Sequence, residues 1–126
     1  MSNQGHILVV DDLRTNRLKL SLGLKQQGHT VSEAENGRQA LDMLRAGSFD
    51  LVLLDILMPE MDGFEFLRQL RGKGCNTNVC VVSADIQASS KKLAQELGAT
   101  EFVNKPFKTE DLLEVINKAL DTVKGS

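Results

Sequence analysis

Short apolar runs alternate along this chain with longer segments in which apolar residues recur every three or four positions. Runs of three to five apolar or alternating residues favour β-strands, and the longer spacing favours amphipathic helices. The pattern predicts five strands, at His6–Val10, Thr30–Ala34, Leu51–Leu54, Val79–Val82 and Glu101–Val103. It predicts a helix after each strand, over Arg14–Gln27, Gly37–Ala46, Gly63–Arg71, Ile86–Leu97 and from a cap at Thr109 through Val123.

Five strand–helix units in series predict an α/β fold, with a parallel sheet, right-handed crossovers and helices on both faces. The wholly apolar run Leu51–Leu54 is typical of a central strand that is covered on both faces. Within the helices, Asn36 is expected to cap the second, in which Ala40, Leu41 and Leu44 form the buried stripe. There is no internal repeat or linker, so we expect one domain over residues 1–126, with its core over about 6–122.

Composition narrows the class of protein. The chain has 126 residues, 41% hydrophobic and 25% charged, as is ordinary for a globular domain. A formal net charge of -2 argues against nucleic-acid binding by this segment, because a phosphate backbone needs a basic face. Residues 1–5 lack the apolar stretch of a signal peptide, and no run approaches the ~20 residues of a membrane span. We therefore expect a cytoplasmic location.

The cysteines and histidines do not have the spacing of a metal site. Cys75 and Cys80 stand five positions apart with no histidine between them, so a redox or metal role is disfavoured. Cys80 belongs to an apolar run and is expected to pack as a small hydrophobic residue, whereas Cys75 falls in a polar loop. His6 and His29 stand alone at strand edges, and we expect structural roles for both.

Polar side chains follow four of the five predicted strands. In chain order they are Asp11 and Asp12, then Asp55, then Ser83, and finally the run Asn104, Lys105 and Pro106. An open parallel sheet binds ligands beyond the carboxyl ends of its strands, so we expect these groups to meet at one rim.

Three carboxylates at one rim repel one another unless a cation compensates them. A hard divalent cation with oxygen ligands does so, and Mg2+ is the natural choice. Lys105 adds a second positive charge, so the pocket could hold a phosphoryl group, to which Ser83 offers a hydroxyl donor. Asp55 ends the most apolar and therefore most central strand, which makes it the expected nucleophile. Asp11 and Asp12 then suit metal binding, directly or through water.

These residues resemble the receiver domain of two-component response regulators, of the chemotaxis-regulator type, from Ile7 to about Leu120. The matching segments are ILVVDD at Ile7–Asp12, DLVLLDILMPEMDGFE at Asp50–Glu65, VVSAD at Val81–Asp85 and GATEFVNKPF at Gly98–Phe107. The resemblance implies a flavodoxin-like, doubly wound (βα)5 fold with the strand order 2-1-3-4-5.

The resemblance also implies a role for each site residue. It makes Asp55 the phosphoacceptor, Lys105 the lysine that contacts the phosphoryl group, and Ser83 and Phe102 the switch residues. The implied Mg2+ ligands are Asp12, Asp11 largely through water, Asp55 and the backbone carbonyl of Leu57. The peptide bond before Pro106 would be cis. Leu57 and Asp85 flank the path of the hydrolytic water, and we expect Leu57 to lengthen the phosphorylated lifetime.

In the family, the phosphodonor is a histidine kinase or a histidine phosphotransfer protein. We expect the start of the first helix, Arg14–Leu18, to dock it. Phosphorylation would reshape the face formed by the fourth helix, fifth strand and fifth helix, which a downstream effector protein or domain would recognise. Catalysis would be limited to the domain's own phosphorylation and dephosphorylation, so we do not expect an independent enzyme.

Other functions remain open at this point. The chain is either a stand-alone regulator or a phosphorelay intermediate, or it is the receiver of a larger transcription factor or cyclic-nucleotide enzyme. A haloacid-dehalogenase-type phosphatase also uses a strand-end Asp, Mg2+, Ser/Thr and Lys, but it needs a second Asp where Leu57 stands. A flavodoxin-type flavin site would place a phosphate beside Asp11 and Asp12, which would repel it. A degenerate receiver would lack part of the acidic and basic set, which is complete here.

Overall fold

The computed structural model describes residues 5–55, 63–75, 77–83, 88–105 and 107–124. Its strands are β1 (His6–Val10), β2 (Thr30–Ala34), β3 (Leu51–Leu54), β4 (Asn78–Ser83) and β5 (Glu101–Asn104). Its helices are α1 (Arg14–Gln26), α2 (Gly37–Ala46), α3 (Gly63–Gly72), α4 (Ala88–Glu96) and α5 (Thr109–Lys124). No helix in these ranges is both long enough and apolar enough to cross a membrane.

The five strands form one parallel sheet in the order β2-β1-β3-β4-β5. The predicted fold class and the strand order implied by the family resemblance are therefore confirmed. The chain starts at β1, continues to the edge strand β2 and then returns to β3 on the other side of β1. This reversal of direction between β1 and β3 creates the switch point at which ligands bind in such sheets.

The three central strands are buried on both faces, and their side chains alternate between two hydrophobic cores. One core joins Leu8, Val10, Val52, Leu54, Val79 and Val81 to α2, α3 and α4 through residues such as Leu41, Phe66, Leu70 and Ala94. The other joins Ile7, Val9, Leu51, Leu53, Cys80 and Val82 to α1 and α5 through Leu24, Leu112, Ile116 and Leu120. This explains why these strands are continuously apolar rather than alternating.

Within the described residues, several helix and strand ends differ from prediction by one residue, whereas Ile86, the predicted start of the fourth helix, lies outside them. Asn36 caps α2 as predicted, since its side chain accepts from the backbone N–H of Gln39 at 2.9 Å. The last helix begins at Thr109 itself, so Thr109 is its first residue rather than the cap before it. The parallel pairing between β4 and β5 continues one residue beyond the predicted strand ends, to Ser83 and Asn104, which pair with each other. These two residues bring both strands up to the rim where the polar groups lie.

Helix α1 contains two rows of leucines with opposite environments. Leu24 is buried and Leu20 packs beside it in the core that α5 shares. Leu18 and Leu22 are 42% and 61% exposed, and Leu13, just before the helix, is 54% exposed. One face of α1 is therefore apolar but faces solvent.

Candidate functional site

Three site residues extend the sheet's hydrogen bonding by one residue past a strand end. The backbone N–H of Asp11 donates to the carbonyl of Ala34 in β2 at 3.2 Å, and that of Asp55 to Val10 in β1 at 3.1 Å. The N–H of Lys105 donates to the carbonyl of Ser83 in β4 at 2.8 Å. Because the backbone of each residue is held by the sheet, their side chains project from the rim in fixed directions.

The ammonium of Lys105 bridges the two buried carboxylates. Its Nζ donates to Oδ2 of Asp55 at 3.2 Å and to Oδ2 of Asp11 at 3.3 Å. Asp11 is only 2% exposed and Asp55 only 8%. Burial alone would lower the pKa of Lys105, but the charges of Asp55 and Asp11 and the hydrogen bonds to them raise it above its ordinary 10.5. Lys105 is therefore a fixed cation at neutral pH.

Asp12 completes an acidic cluster with Asp11 and Asp55. One carboxylate oxygen from each of the three lies within 4.8 Å of the others, a spacing that could hold a metal ion. Unlike its two neighbours, Asp12 is exposed, so the cluster opens to solvent on its side. The three carboxylates and Lys105 together carry a formal net charge of −2, and the ligand atoms that the carboxylates offer are all oxygen. This donor set fits a hard divalent cation.

By the alternation along the strands, Ser83 and Phe102 face the other side of the sheet from Asp11, Asp55 and Lys105. Ser83 is fully buried at the end of β4, in alternation with Val79 and Val81 of the core that contacts α4. Phe102 in β5 is partly buried and packs against that same core. The alternation puts Asp11, Asp55 and Lys105 in phase with the opposite core, which includes Val9, Leu53 and Val103. The rim thus has a charged side and a switch side.

Three predicted site residues lie outside the described residues, namely Leu57, Asp85 and Pro106. Their roles as metal ligand, as tuning residues and as a cis proline remain predictions. Among the other predicted site residues, the structure brings Asp11, Asp12, Asp55 and Lys105 together, as the strand-end pattern indicates.

The histidines and cysteines lie away from this cluster. His6 donates from Nδ1 to the carbonyl of Ser48 at 3.1 Å, and its Nε2 lies 2.9 Å from Oγ of Ser32. The backbone N–H of Gly5 donates to Nδ1 of His29. Cys80 is fully buried, and burial raises the pKa of its thiol to about 12. All three side chains therefore have the structural roles expected of them.

Sequence reasoning missed one residue next to the cluster. Arg17 in the first turn of α1 donates from Nη1 to the carbonyl of Asp11 at 2.8 Å. It also donates from Nε to Oε1 of Glu33 in β2 at 3.2 Å. An arginine one turn into a helix has no distinctive signal in one sequence. The only available signal is the parallel pairing of β1 with β2, which places Glu33 opposite Val9, near the carboxyl end of β1.

Comparison with known proteins agrees with the fold. The sequence profile of the response regulator receiver domain matches residues 7–117. The transcriptional regulatory protein YkoG of Bacillus subtilis, itself uncharacterised, is 38% identical over 117 residues, which cover 93% of this chain and 51% of YkoG. The chain thus spans about half the length of the curated relatives it matches.

Solved structures agree as well. The chemotaxis regulator CheY4 of Vibrio cholerae superposes with a TM-score of 0.87 at 30% identity, covering 92% of this chain and 98% of CheY4. The response regulator TrrA of Thermotoga maritima, solved with Mg2+ and BeF, has a TM-score of 0.82 at 34% identity, covering 90% and 97%. With five parallel strands in the order shared by the CheY-like proteins and a matching profile over most of its length, the chain belongs to the receiver domain family of two-component response regulators.

Proposed function

We propose that this domain accepts a phosphoryl group on Asp55 and that Lys105 and Mg2+ assist the transfer. One observation carries the proposal: a buried carboxylate at the end of the central strand is paired with a partly buried lysine beside an open acidic cluster. A carboxylate next to a cation is a competent nucleophile for phosphoryl transfer, in which positioning and charge neutralisation supply most of the catalysis.

The proposed Mg2+ ligands are Asp12, Asp11 and Asp55, with the Leu57 carbonyl implied by the family resemblance. Two observations support the metal: the all-oxygen cluster has a net charge of −2 with Lys105, and TrrA was solved with Mg2+. When bound, Mg2+ would neutralise charge on the phosphoryl oxygens. Asp12 is the exposed member, so the ion would enter from its side.

In the proposed reaction, an oxygen of Asp55 forms a bond to phosphorus as the phosphorus–nitrogen bond of a phosphohistidine breaks. The released imidazole takes up a proton. Lys105 already holds Oδ2 of Asp55 and would move its hydrogen bonds to the phosphoryl oxygens as the new negative charge develops. Hydrolysis reverses the modification, since water attacks phosphorus and the Asp55 carboxylate is released with inorganic phosphate. The domain would thus catalyse only its own phosphorylation and dephosphorylation.

The proposed switch links Ser83 to the face formed by α4, β5 and α5. Ser83 accepts from the backbone of Lys105 through its carbonyl, so a movement of Ser83 toward the phosphoryl group would pull on the end of β5. Phe102 lies three residues before Lys105 on the same strand and has no hydroxyl, so its inward rotation would need no buried partner. The response would be a population shift between two packings, which a downstream effector reads.

We also propose that the exposed apolar face of α1 docks the phosphodonor. Leu13, Leu18 and Leu22 are all exposed. The first of them directly follows Asp12 of the acidic cluster, and the other two lie further along α1. A histidine kinase or phosphotransfer protein that covered this face would bring its phosphohistidine to Asp55. We also propose the cytoplasmic location expected from the sequence, because the phosphodonors of two-component systems act in the cytoplasm.

The test is Asp55→Asn, incubated with a small phosphodonor and Mg2+ and analysed by intact-mass and peptide mass spectrometry. We expect the wild-type chain to gain one phosphoryl group on Asp55 and the variant to gain none that is stable. Asp42→Asn, in the exposed face of α2, is the matched control and should be labelled like the wild type. Full labelling of Asp55→Asn at another residue would overturn the site assignment.

A second proposal concerns the output. The relatedness to YkoG, described as a transcriptional regulatory protein and about twice as long, favours the receiver of a larger transcription factor over a stand-alone regulator. A gene whose reading frame continues past Ser126 into a DNA-binding domain is the expected finding. A stop codon directly after Ser126 would instead favour a stand-alone or phosphorelay regulator.

A further inference from the structure

Arg17 connects three segments around the acidic cluster. Its side chain is only 12% exposed, although it lies in the first turn of α1. Nη1 donates to the main-chain carbonyl of Asp11, and Nε donates to the carboxylate of Glu33 in β2. A largely buried guanidinium with two directed contacts is strongly constrained, because its planar fork fixes both donors at once.

The carbonyl that Arg17 holds belongs to the peptide bond between Asp11 and Asp12. A peptide unit is planar, so fixing its carbonyl also fixes the direction in which the chain enters Asp12. Asp11 has further restraints, since its Oδ1 accepts from the backbone N–H of Leu13 at 2.9 Å and its Oδ2 from Lys105. Within the described residues, the Asp12 side chain has no hydrogen bond of its own. Its position therefore depends on the peptide plane that Arg17 holds.

The charge of Arg17 and its orienting contacts are expected to have opposite effects on the affinity for a metal ion. A guanidinium next to a cation site repels the incoming ion, so charge alone predicts that removing Arg17 strengthens metal binding. Glu33 offsets part of this repulsion, because its carboxylate lies 3.2 Å from Nε of Arg17. If Arg17 serves mainly to orient Asp12, its removal should instead weaken metal binding. The two effects have opposite signs, which makes them separable by experiment.

We propose that Arg17, anchored by Glu33, is a positioning residue that orients the Asp11–Asp12 peptide and so holds Asp12 ready for the divalent cation. This inference rests on the proposed Mg2+ site. It assigns Arg17 no contact with the phosphoryl group. Residues that orient metal ligands without touching the metal commonly change metal affinity by about 10–100-fold.

The experiment is an NMR titration of 15N-labelled protein with MgCl2, comparing wild type, Arg17→Gln and Arg14→Gln. Arg14 begins α1, is exposed, and loses the same charge on substitution. We expect Arg17→Gln to bind Mg2+ about tenfold more weakly, and Arg14→Gln to bind as tightly as wild type or slightly more tightly. Unchanged or tighter binding by Arg17→Gln would overturn the proposal.

A double-mutant cycle tests whether the effect runs through Asp12. We expect Arg17→Gln to add little further loss in an Asp12→Asn background, because the oriented ligand is already weakened. Fully additive losses would show that Arg17 acts elsewhere and would contradict the proposal. Circular dichroism with thermal unfolding in EDTA checks the fold of each variant. Should Arg17→Gln not fold, Arg17→Lys keeps the charge but replaces the planar fork with a single ammonium nitrogen, and should bind Mg2+ more weakly than the wild type. Wild-type affinity in Arg17→Lys would then reject the proposal.

The outcomes separate this inference from the proposed function. A wild-type chain that shows no Mg2+-dependent shifts around Asp11, Asp12 and Asp55 would refute the metal site itself. Clear wild-type binding with no weakening in Arg17→Gln would refute only the role of Arg17.

Discussion

Lys105 lies 3.2 Å from the carboxylate of Asp55, a residue 50 positions earlier in the chain, and bridges it to Asp11. The lysine does so from the end of β5, although β4 stands between β5 and the strand that carries Asp55. One ammonium therefore neutralises part of the charge of two buried carboxylates. A divalent cation in the acidic cluster would neutralise the same two groups, so lysine and metal have overlapping electrostatic roles.

This overlap predicts how Lys105→Met changes stability. Without Mg2+, the variant leaves Asp11 and Asp55 without their cation, and we expect the free energy of unfolding to fall by about 2 kcal/mol. Excess Mg2+ should then stabilise Lys105→Met more than it stabilises the wild type. Urea unfolding followed by circular dichroism, with EDTA or with Mg2+, measures both quantities. Lys92→Met, on the exposed face of α4, is the control and should change neither. Equal stabilisation of both proteins by Mg2+ would contradict the shared role.

The raised pKa of Lys105 also predicts the pH range in which this contribution disappears. A basic group whose pKa is raised by folding stabilises the folded state below its unfolded pKa of about 10.5. That contribution is lost as the pH rises through the higher folded pKa. In EDTA, the stability difference between wild type and Lys105→Met should thus be constant from pH 7 to 10 and shrink above pH 10.5. A difference that grew in alkali would contradict the ion pair.

Much of the fold and of the acidic cluster could be predicted because both follow from the parallel direction of the strands. Parallel strands bring their carboxyl ends to one edge, so residues that directly follow Val10, Leu54 and Asn104 had to lie near one another. The contact of Arg17 with the Asp11 carbonyl could not be predicted in this way. It depends on the rotamer of a long side chain between a helix and a loop, and many such arginines simply face solvent.

The same limit applies to the leucines of α1. Both rows have i,i+4 spacing, so periodicity alone does not decide which one is buried. Packing against β1 and β2 decides it. Leu20 and Leu24 join the core on that face of the sheet, whereas Leu18 and Leu22 are exposed. Which leucines of α1 remain exposed is therefore determined by tertiary packing and cannot be read from the sequence alone.

Gly98 is predicted to be essential for stability at the end of the sheet away from the acidic cluster. It has a φ of +97°, and a Cβ there would lie 2.5 Å from Nε of Arg71. Arg71 is in turn held by the carbonyls of Cys75, Thr77 and Gly98. We expect Gly98→Ala to lower the free energy of unfolding by about 2–3 kcal/mol, from backbone strain and a displaced guanidinium.

Gly23→Ala is the matched control for that substitution. Gly23 lies inside α1, and a Cβ there would meet no atom within 4 Å. Since alanine is the better helix former, we expect Gly23→Ala to stabilise the domain by about 0.5–1 kcal/mol. Urea unfolding of both variants measures the contrast. Equal effects at the two positions would contradict the role given to the Gly98 backbone.

The two cysteines are predicted to differ sharply in reactivity. Cys80 is fully buried in β4 and burial raises the pKa of its thiol to about 12, so it has almost no thiolate at neutral pH. Cys75 is partly exposed, with its Sγ 3.2 Å from Oγ1 of Thr77. A disulfide-exchange reagent should therefore label one thiol in the native protein and two in denaturant. Cys75→Ser should abolish the native labelling, and rapid native labelling of that variant would contradict the burial of Cys80.

Leu57 is predicted to set how long the phosphoryl group persists. Leu57 stands two residues after Asp55, and Asp85 stands two residues after Ser83. The family resemblance implies that these two positions flank the path of the hydrolytic water. A leucine side chain has no donor or acceptor for that water, so it cannot orient the attack on phosphorus. We expect Leu57→Asn to speed autodephosphorylation severalfold, measured as the decay of phosphorylated protein after the phosphodonor is removed. Leu57→Met keeps the site apolar and should decay like the wild type. Decay of Leu57→Asn at the wild-type rate would mean that another residue controls access of water to the acyl phosphate.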